Sequence, residues 1–83
     1  MLRQTSLMAF YSLNLQKREY EVLSVISQFQ PIDNLSISKI LHLPINCVTG
    51  RTRGLFKKDL VYEHDTITSQ YTGRKVIRWG ADL

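Results

Sequence analysis

The side chains best suited to molecular recognition in this 83-residue chain lie on one predicted helix, residues 45–58. A helical wheel places its polar and small residues on one face, in the order Asn46, Gly50, Arg53 and Lys57. An arginine reads guanine through O6 and N7 and an asparagine reads adenine, each contact being worth about 1–3 kcal/mol of discrimination. A lysine such as Lys57 is better suited to a phosphate group. This face therefore predicts binding in the major groove of duplex DNA.

Further residues of the same helix extend the set of candidate contacts. Thr49 lies on one flank of the polar face, and Arg51 and Lys58 lie on the other. Arg51 is expected either to brace the fold or to contact the phosphate backbone. Inside a helix, Gly50 and Gly54 each cost about 1 kcal/mol relative to alanine, and their missing side chains would let the backbone approach a DNA strand closely. In the alternative, Gly54 only frays the helix, or both glycines admit a helix of another protein.

Other kinds of site find little support in the sequence. His42, Cys47 and His64 are the only soft metal ligands, and the chain has neither a C-x-x-C nor an H-x-x-x-H pair, so no zinc site is predicted. Cys47 has no acidic residue near it in sequence to orient a base, which argues against a nucleophile. Glycine-rich phosphate-binding motifs are absent. We therefore predict no enzymatic activity, no catalytic residue, no metal and no cofactor.

The first helix expected to support this face covers residues 17–29. Gln16 and Glu19 resemble a capping box at its start, and Pro31 stops it. Its inward sector on a helical wheel is apolar and consists of Val22, Val25, Ile26 and Phe29. Tyr20 falls in the opposite, polar sector. The pattern predicts a helix that packs one side against the core.

A second helix is predicted over residues 34–41, followed by a tight turn into the polar helix. Asp33 is suited to cap its N-terminus, and Ile37 and Leu41 are expected to point inward. Pro44 stands at the edge of the next helix, where its missing N–H costs nothing. The inward face of that next helix is expected to consist of Ile45, Val48, Thr52 and Leu55. The helix at residues 45–58 is thus expected to turn an apolar side to the core and a polar side to solvent.

A β-hairpin is expected after the helices. Residues 60–64 and 75–79 are rich in β-branched and aromatic residues and are predicted to be its strands. The segment between them, residues 65–74, is polar and is expected to be a long basic loop. Trp79 is expected in the core. A further short helix is predicted before all of these elements, at residues 5–13.

Composition and charge favour a small globular protein with a basic surface. Eleven Lys and Arg residues against seven Asp and Glu residues give a formal net charge of +4. Residues 44–79 hold seven of these cations and only three anions, so the basic excess lies with the polar helix and the hairpin. One cysteine excludes an internal disulfide, and no apolar run approaches the ~18 residues of a membrane span. We expect a cytoplasmic protein without a membrane partner.

The order of these elements resembles the winged helix-turn-helix DNA-binding domains, of the MarR-like kind and of the small phage and prophage proteins. The resemblance is carried by residues 15–23 (LQKREYEVL), 33–44 (DNLSISKILHLP), 45–51 (INCVTGR), 55–61 (LFKKDLV) and 72–79 (TGRKVIRW). It implies an α+β fold in which three to four helices precede a two-stranded β-hairpin wing. The implied single domain, 1–83, divides into an N-terminal helix or arm (1–14), a helical core with the helix-turn-helix (15–59) and the wing (60–79). His42 and Asp59 stand where the family has glycine, which implies a left-handed backbone at both.

The resemblance also implies a function. The protein would be a double-stranded DNA-binding protein and a sequence-specific transcriptional regulator, with residues 45–58 as the recognition helix in the major groove. Residues 65–75 of the wing would lie on the DNA backbone or in the minor groove. The implied wing contacts are Thr72, Gly73, Arg74 and Lys75.

A winged-helix adaptor for protein contacts in a phage or prophage assembly is the alternative. Such an adaptor would carry apolar anchors on the outward face of the helix at residues 45–58, where this sequence has polar residues, so DNA binding is favoured. The predicted N-terminal helix has more apolar residues than docking on a small core requires: Leu7, Met8, Phe10, Tyr11 and Leu13. A homodimer through this helix, or a monomer that self-associates weakly, is therefore predicted. A dimer would place the two recognition helices about 34 Å apart and favour a palindromic site.

Overall fold

The computed structural model describes residues 15–82, which form three α-helices and one three-stranded antiparallel sheet. The elements, in chain order, are α1 (Lys17–Phe29), β1 (Ile32–Asp33), α2 (Asn34–Leu41), α3 (Ile45–Lys57), β2 (Tyr62–Thr68) and β3 (Lys75–Gly80). The chain therefore has an α+β fold, as predicted. The helix predicted at residues 5–13, and the dimer contact assigned to it, lie outside the described residues.

Local sequence signals set the starts of the first two helices. The Gln16 N–H donates a hydrogen bond to Oε1 of Glu19 at 3.0 Å, which is the carboxylate half of the expected capping box. Asp33 caps α2, as predicted, because its side chain accepts a hydrogen bond from the Ser36 N–H at 3.4 Å. Both α1 and α2 have the predicted bounds.

The connections on either side of α3 use left-handed residues. His42 has a φ of 56° and Asp59 a φ of 60°, the backbone conformation implied for both positions. After His42, the Leu43 N–H donates to the Ser38 carbonyl oxygen at 3.1 Å and closes the turn into α3. α3 ends at Lys57, slightly before the predicted end at residue 58.

The sheet has one strand more than the predicted two-stranded hairpin. Its order is β1-β3-β2, so β3 is central and antiparallel to both neighbours. β1 has only two residues, and its Ile32 pairs with Trp79 of β3. A strand this short has no periodic pattern of its own. Its existence depends on a partner from the other end of the chain.

The hairpin strands also differ from their predicted bounds. β2 begins at Tyr62 and ends at Thr68, whereas residues 60–64 were predicted. Pairing continues along β-branched residues to Thr68, which lies opposite Lys75. The prediction ended the strand too early because it treated the polar threonines as loop residues. The hairpin loop is consequently shorter than expected and covers residues 69–74.

The buried residues form one apolar cluster between the helices and the sheet: Val22, Leu23, Val25, Ile26, Ile32, Ile37, Val48, Leu55, Val61, Trp79 and Ala81. Trp79 is in the core, as predicted, and its indole N–H donates to Oδ1 of Asn34 at 2.9 Å. Phe29 was predicted to point inward but is 50% exposed, because it ends α1 where the chain turns away. Tyr20 was predicted to face solvent but is half-buried against the core.

A buried carboxylate fixes the crossing of α1 and α3. Glu19 is only 7% exposed, and its Oε2 lies 3.0 Å from Nζ of Lys58. A Cβ atom at Gly54 would lie 3.3 Å from the same Oε2, which is tighter than ordinary van der Waals contact. Gly54 therefore lets α3 approach Glu19 closely, a packing role within this chain.

Acid is expected to destabilise the fold through Glu19. The Gln16 N–H hydrogen bond lowers the pKa of the Glu19 carboxyl below its ordinary 4.5; burial opposes this, and Lys58 lowers the pKa further. Because the folded-state pKa is lowered, the stabilisation is complete above about pH 4.5 and is lost as the pH falls through the folded pKa. Glu19→Gln should lower the free energy of unfolding at pH 7 by about 1–2 kcal/mol and flatten its pH dependence below pH 5 in urea denaturation.

The matched control for this prediction is Glu21→Gln. Glu21 accepts a hydrogen bond from Arg18 at 2.7 Å in an ion pair on the surface of α1. Pairs of this exposed type contribute about 0–1 kcal/mol, so the control should stay close to the wild type. A Glu19→Gln variant with the wild-type pH profile would contradict the assignment.

Candidate nucleic-acid interface

α3 turns its apolar side to the core and its polar side to solvent. Val48, Thr52 and Leu55 are buried. The opposite side is exposed along the whole helix and consists of Asn46, Gly50, Arg53 and Lys57. We call these four residues the polar stripe. Its four members lie on the side that the helical wheel predicted.

Ile45 departs from the predicted inward face. It is 44% exposed, although the wheel groups it with Val48 and Thr52. A wheel gives the direction of a side chain around the helix axis, but not how far the core extends along that axis. Ile45 is the first residue of α3, beyond the end of the core, and it therefore lies at the surface.

Two candidate contacts, Arg51 and Lys58, are turned away from the polar stripe. The Lys58 ammonium pairs with the buried carboxylate of Glu19. Arg51 is half-buried, and its Nε atom is buried without a hydrogen-bond partner among residues 15–82. Its positive charge lowers the pKa of the Glu19 carboxyl.

The hairpin loop is held by its own hydrogen bonds. The Ser69 N–H donates to the Arg74 carbonyl oxygen at 2.8 Å, and the Gly73 N–H donates to the Ser69 carbonyl oxygen at 2.9 Å. Gly73 has a φ of 72°, a conformation that favours glycine. The N–H of Gly73, expected as a donor to a ligand, is therefore used within the loop.

The loop also lies against α2. The Lys39 ammonium of α2 is 4.5 Å from the centre of the Tyr71 ring, a distance typical of a cation–π contact. Local sequence patterns do not predict this contact, because it joins residues from separate elements. It orients the loop relative to the helices.

A groove of about 520 Å³ brings the helix and hairpin candidates together. Ile45 and Thr49 line it from α3, and Thr72, Arg74 and Lys75 line it from the hairpin. The hairpin cations therefore flank the first turns of α3. This is the arrangement needed for both elements to touch one strand of a bound polymer.

The groove continues toward the end of α3. Arg53 and Phe56 line this second part, of about 390 Å³, together with Ile77 and Trp79 of β3. Phe56 and Ile77 are both exposed, and neither was a candidate site residue. Alternation along β3 is the signal that identifies Ile77, since Lys75, Ile77 and Trp79 fall on one face of a strand.

The cations that line the groove form no ion pair within residues 15–82, and the same holds for Lys17, Lys39 and Arg51 elsewhere in that range. The hairpin residue Arg78 donates from Nε to Oδ1 of Asp65 at 2.7 Å, and this hydrogen bond lowers the pKa of the Asp65 carboxyl against the effect of burial. Arg18 and Lys58 are also in ion pairs. Within residues 15–82, no ion pair involves the three exposed cations that line the groove, Arg53, Arg74 and Lys75, or the exposed Lys57 of the polar stripe.

Residues 15–82 contain no group of three or more His, Cys, Asp or Glu side chains able to hold a metal ion. None of the helices described combines the length and apolar character required to cross a bilayer.

Comparisons with protein families, with curated proteins and with solved structures give no match.

Proposed function

We propose that this chain is a double-stranded DNA-binding protein with a winged helix-turn-helix domain, acting as a sequence-specific transcriptional regulator. One observation carries the proposal. Four exposed cations on one helix and one hairpin form no ion pair with any of residues 15–82: Arg53, Lys57, Arg74 and Lys75. Clustered free cations of this kind attract the phosphate backbone, which supplies much of the affinity of DNA-binding proteins.

In this proposal α3 enters the major groove with the polar stripe facing the bases. Arg53 donates to guanine O6 and N7, and Asn46 pairs with adenine N6 and N7. Lys57 contacts a phosphate group. The hairpin is the wing, and its Arg74 and Lys75 lie on the adjacent backbone or in the minor groove. Binding of this type requires a surface and no catalytic cleft, so we propose no enzymatic activity.

Selection from a random pool of duplexes is the direct test. The wild-type protein should enrich a defined sequence and bind it with an affinity that falls as salt increases. If no duplex is enriched and no salt-dependent affinity for DNA is measured, the proposal is wrong. Turnover of nucleotides or nucleic acid by the purified protein would contradict the non-enzymatic part.

Arg74→Ala should weaken binding to all duplexes alike. The side chain is exposed on the hairpin loop, and a phosphate contact carries no sequence information. Losing one such contact should lower the slope of log affinity against log salt by about 0.9. Arg18→Ala makes the same change in net charge at a cation already paired with Glu21. The proposed role fails if both variants change the slope equally in binding titrations at several salt concentrations.

Gly50→Ala should strengthen the fold and weaken DNA binding. A Cβ atom there would have nothing within 4 Å, so the change should raise the free energy of unfolding by about 1 kcal/mol through helix propensity. The added methyl group would separate the α3 backbone from DNA, at a cost on the order of 1 kcal/mol, the scale of one lost polar contact.

Gly54→Ala is the matched control for Gly50→Ala. Its added Cβ would crowd the Glu19 carboxylate at 3.3 Å, so it should gain less stability than Gly50→Ala. Thermal unfolding and duplex titration measure both quantities. A Gly50→Ala variant with unchanged affinity for the selected duplex would contradict close approach of the backbone at this position.

The exposed apolar residues of the groove favour a second candidate function, the protein-contact adaptor. Ile45, Phe56 and Ile77 are all exposed along the line between α3 and the hairpin. Apolar patches rimmed by polar residues often mark protein interfaces. Charge favours DNA binding over this candidate, because three cations, Arg53, Arg74 and Lys75, line the same groove against two carboxylates, Asp33 and Glu63. A failed duplex selection would leave the adaptor as the better explanation.

A further inference from the structure

We propose that Ile45 and Thr49 bind the methyl groups of thymine, so that the preferred duplex carries A·T base pairs where the first turn of α3 meets the major groove. The proposal deepens the DNA-binding function proposed above and rests on it. It assigns a specificity role to Ile45, which is not part of the polar stripe, and to the methyl group of Thr49.

Ile45 is an exposed residue of the groove lining. Its branched apolar side chain stands at the mouth of the groove, 44% exposed. The major-groove edge of thymine presents a C5-methyl group, which is the apolar feature that protein side chains contact there. An exposed isoleucine on the leading turn of the proposed recognition helix is suited to that contact.

Thr49 adds a second apolar group on the same side of α3. Its Oγ1 donates to the Ile45 carbonyl oxygen at 3.0 Å, so the hydroxyl proton is used by the helix backbone. The side chain is exposed, and its methyl group remains as the apolar part available to a ligand. Ile45 and Thr49 are separated by one helical turn and line the same groove.

The neighbouring polar groups point to DNA as the occupant of this groove. Asn46 follows Ile45 in the polar stripe, and an asparagine amide pairs with adenine. Adenine is the partner of thymine, so both side chains would read the same kind of base pair. Arg74 and Lys75 line the groove opposite α3, and their positive charge complements phosphate groups.

Spacing along α3 predicts the order of the bases. Asn46 and Arg53 are seven residues apart, which is about 10 Å along a helix that rises 1.5 Å per residue. A base pair occupies about 3.4 Å of the duplex axis. With α3 aligned along the groove, the A·T pairs read near Asn46 should lie about three base pairs from the guanine read by Arg53.

Substitution of thymine by deoxyuridine tests the proposal. Deoxyuridine keeps the base pairing and lacks the methyl group. In the selected duplex, wild-type affinity should fall about threefold to fourfold for each contacted thymine replaced, the size expected for one buried CH₂-sized group. The Ile45→Ala variant should bind the selected duplex equally well whether the base contacted by Ile45 in the wild type is thymine or deoxyuridine. Thr49→Ser keeps the hydroxyl and deletes only the methyl group. This variant should bind equally well whether the base contacted by Thr49 in the wild type is thymine or deoxyuridine.

Ile40→Ala is the matched control, since Ile40 is an exposed isoleucine on α2, outside the helix and the hairpin proposed to contact DNA. It should retain the full wild-type response to deoxyuridine. Wild-type protein that binds both duplexes equally would overturn the inference, and so would an Ile45→Ala variant that keeps the wild-type response. In either case an enriched, salt-sensitive duplex would still support DNA binding, whereas a selection without enrichment overturns both proposals.

Sedimentation separates DNA from a second copy of the chain as the occupant of the groove. Wild type and Ile45→Ala should have the same oligomeric state, because Ile45 is assigned to DNA. A wild-type dimer that Ile45→Ala converts to a monomer would identify the groove as a self-interface and overturn the inference.

Discussion

Arg53→Ala is expected to weaken binding of the selected duplex by about 1–3 kcal/mol, which corresponds to roughly fivefold to 150-fold, with the loss confined to one base pair. Arg53 is exposed in the middle of the polar stripe and lines the groove beside Phe56. Its guanidinium forms no ion pair within residues 15–82. It is therefore free to donate two parallel hydrogen bonds to a guanine.

Lys57→Ala is the control that separates reading of bases from attraction to phosphate. Lys57 lies one turn further along the same stripe and carries the same charge. Its loss should weaken binding of all duplexes by a similar factor and reduce the salt slope by about 0.9. Repeating the selection with each variant measures the difference. If the Arg53→Ala variant still enriches the sequence that the wild type selects, the proposed guanine contact is contradicted.

Trp79→Ala is expected to have the largest effect on stability, a loss of about 3–5 kcal/mol in the free energy of unfolding. The stability of a chain of this length is on the order of 4–12 kcal/mol, so this variant should lose a large fraction of the total. Trp79 is buried, its ring centre lies 5.6 Å from that of Phe56, and its indole N–H bonds Asn34. It thus joins β3 to α2 and α3, the elements on both sides of the groove.

Trp79→Phe isolates the polar part of this contribution. Phenylalanine keeps an aromatic ring near Phe56 but loses the hydrogen bond to Oδ1 of Asn34, which should cost about 1–3 kcal/mol, including the smaller ring. Chemical denaturation of both variants gives the two values. Equal losses for the alanine and phenylalanine variants would show that the hydrogen bond, and not the packing of the ring, dominates.

The helices show how much of this fold can be predicted from local sequence. α1 and α2 have the predicted bounds because their signals lie within a few residues: the Gln16–Glu19 capping pair, the Asp33 cap and the stop at Pro31. The polar stripe was predictable for the same reason, since a helix fixes the relative directions of side chains three and four residues apart.

Predictions failed where an element depends on a distant partner or on the end of the core. β1 exists only through pairing with β3, nearly fifty residues later, and the length of β2 follows from the same strand. Ile45 and Phe29 were placed inward by their helical periodicity. Both are exposed because each stands at the end of its helix, where the core no longer covers it.

The sequence by itself determined that the basic excess of this chain lies after residue 43 and that one helix has an apolar and a polar side. The tertiary structure decided which of those cations are available. Lys58 pairs with Glu19 and Arg78 pairs with Asp65, whereas Arg53, Arg74 and Lys75 form no ion pair within residues 15–82. The reason is physical: a helix sets the direction of its side chains through local bonds, but an ion pair forms only where the fold brings two distant residues within a few ångströms.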